Sequence, residues 1–265
     1  MNALVKEPAQ MTSLSERQLV LPSSVNSGLP EASFKATRHQ QAERSFLWKC
    51  AQAIARILTT SLFDLKVYGL ENIPAHGGAL IVSNHQSYLD PVVLGARLRR
   101  PLSYIAKEEL FEVTPAFTWM LRSLGAFPVH QGHADVHALK ESIERLHEGY
   151  LLNIYPEGAR TPNGKIGKLE KGIALIDRRA HVPVSPAVIV GAFEAWPIYR
   201  KFPKPWPIRV QFGPPMDLAD MKSPEILATV DRTLRKMFDD LRARPPTTAS
   251  GAATTFFGGK GSRHP

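Results

Sequence analysis

Two short polar segments each follow an apolar, strand-like run, and both hold residue types suited to proton transfer and anion binding. The first is Asn84-His85-Gln86-Ser87-Tyr88-Leu89-Asp90, after Ala79-Leu80-Ile81-Val82. A histidine at the end of such a run can take a proton from a hydroxyl, and a carboxylate five residues on could hold its imidazole in one tautomer and stabilise its charged form. The second is Tyr155-Pro156-Glu157-Gly158-Ala159-Arg160, which supplies a carboxylate and a guanidinium whose planar fork matches phosphate. Together they suit an acceptor hydroxyl that must lose its proton and that belongs to a molecule carrying an anion.

Plainer readings of the same residues remain open at this point. Asp90 precedes Pro91, and Asp at the N-cap with Pro at the first helical position is a common helix start. Five residues along a continuous helix turn two side chains about 140 degrees apart, so His85 and Asp90 meet only if His85 lies in the turn before the helix. Glu157 and Arg160 also suit a solvated tight turn with a surface ion pair. Lys165, Lys168 and Lys171 follow closely and make that loop basic.

The elements that must position these groups alternate along the chain. Strands are predicted at Leu65–Tyr68, Ala79–Val82, Leu102–Ala106, Ala126–Val129, Leu151–Tyr155, Val184–Val190 and Ile208–Phe212, with helices near 88–99, 114–123, 134–148, 168–180 and 224–243. The expected fold is a single α/β domain, a central mixed β-sheet covered by helices, with an N-terminal amphipathic helix. Polar residues at strand ends of such sheets reach the rim where ligands bind. The amphipathic helix spans 46–65, where Leu47, Cys50, Ala51, Ile54, Ile57, Leu58, Leu62 and Leu65 recur at helical spacing and Lys49, Gln52, Arg56, Thr59 and Thr60 fill the other face. It suits either packing on the core or lying in a lipid headgroup region. Residues 1–44 read as a disordered N-terminal extension, 45–243 as the folded domain and 244–265 as a flexible C-terminal tail.

Composition narrows the partners. A net charge of +9 and a pI near 9.7 favour polyanions, yet no basic and aromatic stripe, Cys/His finger or RNA-binding sheet signature points to nucleic acid. No GxGxxG or Walker lysine suggests a nucleotide loop. Cys50 is the single cysteine, so no intrachain disulfide forms. No run approaches the ~18 uninterrupted apolar residues of a spanning helix, so no transmembrane segment is expected.

Taken in order over roughly 66–215, the segments resemble the glycerolipid acyltransferase family, whose best-known members are 1-acyl-glycerol-3-phosphate acyltransferases. His85 with Asp90 is similar to the family's His-x4-Asp motif and Pro156-Glu157-Gly158-Ala159-Arg160 to its acceptor motif. Gly125-Ala126-Phe127-Pro128-Val129 is similar to the glycine-led second motif, and Val182-Pro183-Val184-Ser185-Pro186 to the fourth. The second motif usually ends in an arginine that binds acceptor phosphate; Gln131 stands there, with hydrogen bonds to offer but no charge.

The resemblance implies transfer of a fatty acyl group from acyl-CoA or acyl carrier protein to a lysophospholipid hydroxyl, lysophosphatidate first, in phospholipid biosynthesis. Other lysolipids or amino-acid-containing lipids are the alternative acceptors. It makes His85 the base, Asp90 its positioner, and Glu157, Gly158, Arg160, Gly125, Gln131 and Lys107 the substrate-binding set. It needs no metal and no cofactor beyond the thioester co-substrate. It further implies an enzyme bound peripherally to the cytoplasmic face of a membrane through the 46–65 helix. Two rivals stand beside it. His130, His133 and His137, with Asp135 among them, have a spacing that a metal-dependent hydrolase could use. A non-enzymatic lipid-binding module would make His85 dispensable.

Overall fold

The computed structural model describes residues 46–123, 125–129 and 135–244. Seven strands form one sheet: β1 (Lys66–Tyr68), β2 (Ala79–Ser83), β3 (Leu102–Lys107), β4 (Ala126–Val129), β5 (Leu151–Ile154), β6 (Val184–Val190) and β7 (Arg209–Phe212). Their spatial order is β1-β7-β6-β2-β5-β3-β4. Only β6 and β7 pair antiparallel; β6, β2, β5, β3 and β4 run parallel. The sheet is therefore mixed, as expected, and the C-terminal ends of five strands share one rim.

Central strands buried on both faces read as near-continuous apolar runs, and β2 and β6 are buried along their whole length. Alternate side chains enter opposite cores. Leu80 and Val82 of β2 join Leu152, Ile154, Val184 and Val188 on one face, while Ala79 and Ile81 join Leu151, Ala187 and Ile189 on the other.

The helices are α1 (Phe46–Phe63), α2 (Asp90–Gly95), α3 (Pro115–Ser123), α4 (Val136–His147), α5 (Gly172–Ala180), α6 (Ala192–Ala195) and α7 (Ser223–Ala243). Leu146 of α4, Ile173 and Ile176 of α5, and Ile226, Val230, Leu234 and Phe238 of α7 fill the first core. Phe63 of α1 with Val93 and Leu94 of α2 fill the second.

The chain leaves β2 through α2 for β3, and leaves the adjacent parallel β5 through α5 for β6. Neighbouring strands thus send their exit loops to opposite faces, which brings those loops together on the rim.

The apolar stripe of α1 does not face the protein. Gln52, Ala55, Thr59 and Phe63 make the inward side, with Gln52 Nε2 donating to the carbonyls of Gly95 and Leu98 at 3.3 and 2.5 Å. Ile54, Ile57, Leu58 and Leu62 remain 47–65% exposed. The periodicity finds the helix; the docking polar groups decide which side turns inward. No helix among the described residues is long and apolar enough to cross a membrane.

At the end of β2 the side chain of Asn84 replaces a strand residue. Its Nδ2 donates to Ile189 O at 3.0 Å and its Oδ1 accepts from Ile189 N at 2.8 Å, so β6 stays paired while the backbone turns towards His85. Asn84→Ala leaves both Ile189 groups unpaired in a dry core, at about 1–3 kcal/mol each. We expect a stability loss of about 2–6 kcal/mol, read from the midpoint of chemical unfolding.

Candidate active site

His85 lies in the turn between β2 and α2, the one placement in which a five-residue spacing lets it meet Asp90. Nδ1 of His85 is 2.8 Å from Asp90 Oδ2. The same oxygen accepts from Gln86 N at 2.5 Å and Ser87 N at 2.8 Å. Asp90 therefore does not cap α2. Its carboxylate folds back on the preceding turn, fully buried, and its demand for donors shapes the loop that carries the histidine. A carboxylate on Nδ1 favours the proton there and leaves Nε2 with its lone pair. Nε2 has no hydrogen-bond partner among the described residues, and the side chain is 20% exposed.

The second polar segment clasps the first. Glu157 Oε1 accepts from His85 N at 2.8 Å, and its Oε2 accepts from Gly167 N at 2.7 Å. Thr161 N donates to His85 O at 2.9 Å, so both backbone groups of the histidine are held by the loop after β5. The Tyr155 ring stacks on the imidazole at 3.9 Å and 14°. Burial pushes the Tyr155 phenol well above its ordinary pKa, and Asp90 and Tyr104 push it further, so it offers a ring face and no base. Burial also raises Glu157 above the usual carboxylate range; the amides of Gly167 and His85 and the His85 imidazole pull it back, and Asp90 adds to the rise.

Arg160 closes over this turn. Its guanidinium carbon is 3.5 Å from the centroid of the Tyr88 ring, and Nη1 is buried with no hydrogen-bond partner. No carboxylate pairs with Arg160 among the described residues. A guanidinium stacked on the turn that carries His85, with Nη1 unpartnered, offers a place for an anion.

The other sequence-derived residues fall in different places. Gly158, at φ 69°, makes the turn after Glu157. Lys107 ends β3, in register with Val129, and is exposed at the same rim as His85. Gly125 precedes β4 at φ 87° and so sits near the opposite ends of the parallel strands, level with Ser103; its carbonyl accepts from Arg145 Nη1 at 3.2 Å. Gln131, His130 and His133 lie outside the described residues, while His137 is on the first turn of α4. No group of three or more His, Cys, Asp or Glu side chains able to hold a metal occurs among the described residues.

Sequence reasoning missed three supports. Gln86 spans from Gly164 O, 3.1 Å from its Nε2, to Phe193 N, 3.4 Å from its Oε1. Ser87 Oγ donates to Trp196 O at 2.8 Å, and the whole of α6 was unpredicted. The polar character of Gln86 and Ser87 next to the histidine is visible, but their partners lie 78 to 109 residues away and only the closed sheet brings them near.

Residues 64–190 match the family model described as Acyltransferase. The chain is 30% identical over 199 residues to the 1-acyl-sn-glycerol-3-phosphate acyltransferase of Bacillus subtilis, covering 72% of this chain and 94% of that one. The chain belongs to the glycerolipid acyltransferase family. The acyltransferase is also 31% identical over 157 residues to the chloroplastic 1-acyl-sn-glycerol-3-phosphate acyltransferase LPAT1 of Arabidopsis thaliana, covering 58% of this chain and 44% of that one. Its fold matches the crystal structure of the 1-acyl-sn-glycerophosphate (LPA) acyltransferase PlsC from Thermotoga maritima, with a TM-score of 0.65, 28% identity and coverage of 74% of this chain and 81% of that one. With an acyltransferase established, the metal-hydrolase and non-enzymatic readings fall away.

The clasp makes a direct test. In Glu157→Gln an amide NH2 must face either His85 N–H or Gly167 N–H, so one donor loses its acceptor, at about 1–3 kcal/mol. We expect a lower unfolding midpoint together with reduced turnover, because the lost bond either frees the His85 backbone or loosens the loop that bears Arg160.

Proposed function

We propose that the acyltransferase moves a fatty acyl group from a thioester to the free hydroxyl of 1-acylglycerol-3-phosphate, giving phosphatidate. The observation that carries this reading is the pairing, on two clasped loops, of His85 held through Nδ1 by Asp90 with the unpaired Nη1 of Arg160. The names of the Bacillus and Arabidopsis relatives support the same acceptor.

In this reading Nε2 of His85 takes the acceptor's hydroxyl proton as the oxygen attacks the thioester carbonyl. The tetrahedral intermediate expels the thiolate, the imidazolium returns the proton to sulfur, and no acyl-enzyme forms. Asp90 holds the tautomer and stabilises the imidazolium. Positioned base catalysis supplies about 10²–10⁴-fold; the remainder comes from alignment of the two substrates and stabilisation of the oxyanion. Arg160 holds the acceptor phosphate, with Lys107 on the same rim as a second cation. Glu157 shapes the acceptor site through its two backbone bonds, and Gly158 gives the turn its path.

A lipid acceptor requires access to a bilayer. The outward stripe of Ile54, Ile57, Leu58 and Leu62, bordered by exposed Lys49 and Arg56, suits an α1 that lies in the headgroup region. In this reading the leaflet is the cytoplasmic one.

The test is transfer of labelled acyl groups from acyl-CoA and from acyl carrier protein to detergent-dispersed lysolipids. Wild type should make phosphatidate, and His85→Ala should lose at least ~10²-fold of that rate while staying folded. Arg160→Gln should raise KM for lysophosphatidate about tenfold or more, the worth of a charge-assisted phosphate contact, and affect an uncharged acceptor little. Transfer to a different lysolipid alone would overturn the acceptor and keep the chemistry, with Gln131 the first residue to exchange for arginine. Equal rates with and without His85 would overturn the mechanism.

A further inference from the structure

Between α6 and β7 the chain runs Trp196-Pro197-Ile198-Tyr199-Arg200-Lys201-Phe202-Pro203-Lys204-Pro205-Trp206-Pro207, with three cations, four prolines and no acid. Ile198, Tyr199, Phe202 and Trp206 are 45, 73, 68 and 42% exposed. Single exposed apolar residues are ordinary on a protein surface. Four of them within nine positions, interleaved with Arg200, Lys201 and Lys204, form a surface of one chemical character: amphipathic rings that favour the headgroup level and cations that favour anionic lipid.

The segment is ordered by its own bonds. Trp196 Nε1 donates to Arg200 O at 2.9 Å, Lys204 N to Ala195 O at 2.9 Å, and Arg200 N to Pro197 O at 3.1 Å. Lys204 Nζ lies 4.7 Å from the Trp206 ring centroid and the Phe193 ring packs edge-on against Tyr199 at 6.2 Å. At its base, Gly191 has φ 95° and approaches Pro207 so closely that a Cβ would stand 2.1 Å from the Pro207 carbonyl oxygen. Order before contact lowers the entropic cost of docking.

Its position matters as much as its chemistry. Trp196 O accepts from Ser87 Oγ, its ring is 5.2 Å from that of Tyr88, and Phe193 N donates to Gln86, so the strap rests on the turn that carries His85. Tyr88 and Val92 are themselves 51 and 42% exposed. At the other end, Ile208 N donates to Phe63 O at 2.8 Å, which joins the strap to the last turn of α1.

We propose that residues 196–206 are a membrane-docking strap that seats the His85 rim on an anionic phospholipid bilayer, with the aromatic side chains in the headgroup layer and Arg200, Lys201 and Lys204 on lipid phosphate. The inference rests on the acyl-transfer reading only in expecting a lipid surface beside His85. A lysolipid in that surface then reaches Nε2 without first leaving the interface.

The experiment is co-sedimentation of the full chain with vesicles of neutral phosphatidylcholine and of phosphatidylcholine containing phosphatidylglycerol. The charge variant Arg200→Gln/Lys201→Gln/Lys204→Gln should bind anionic vesicles at least tenfold more weakly, since each cation near an anionic leaflet is worth about fivefold, and bind neutral vesicles like wild type. The ring variant Tyr199→Ser/Phe202→Ser should weaken on both. Each should keep its thermal midpoint and its turnover on detergent-dispersed acceptor. His85→Ala, inactive and folded, should bind vesicles like wild type, which separates docking from catalysis. Binding of folded strap variants to anionic vesicles within twofold of wild type would overturn the proposal, whatever the transfer assay shows.

Discussion

A single buried carboxylate oxygen organises the turn that carries His85. Asp90 Oδ2 gathers the imidazole Nδ1 of His85 and the amides of Gln86 and Ser87, and a buried carboxylate without such donors would be too costly to keep ionised. Folding the turn and orienting the imidazole are therefore one event. The preceding residue makes this possible: Asn84 completes the pairing with β6 through its side chain, which frees the backbone to leave the sheet plane while the ladder loses nothing.

The topology supplies the second half of the site. Because β2 and β5 are adjacent and parallel and send their chains to opposite faces, their exit loops meet on the rim, the one after β5 running from residue 155 to 171. Glu157 then ties both together with two backbone bonds, and Arg160 is delivered over Tyr88. The two loops thus start from neighbouring strands whose spacing is a rigid quantity. The loop after β6 adds a third layer through Gln86 and Ser87, so His85 is supported from three strand ends.

Much of this was legible beforehand. The seven strands and the long helices follow from apolar runs and helical periodicity, and the pairing of His85 with Asp90 was restricted by spacing to one geometry, the one observed. What stayed hidden depends on the closed sheet. Periodicity shows that Ile54, Ile57, Leu58 and Leu62 share a face but not that Ala55, Thr59 and Phe63 dock in their place. Gly125 reads through the resemblance as a substrate-binding residue, yet only the parallel direction of β4 places it near the strand ends remote from His85. Glu157 looks like a group that reaches for substrate, whereas both of its oxygens hold backbone amides from positions 72 and ten residues away. The four-residue α6 is too short for any period to register.

The proposed acyl transfer turns on the protonation geometry of one ring. In 15N NMR spectra of the selectively labelled protein at neutral pH, His85 should show the tautomer with the proton on Nδ1 and an unprotonated Nε2. Asp90→Asn should abolish that preference and turnover together. A wild-type His85 that carries its proton on Nε2, or one whose tautomer is indifferent to Asp90→Asn, would contradict the assignment of Nε2 as the base.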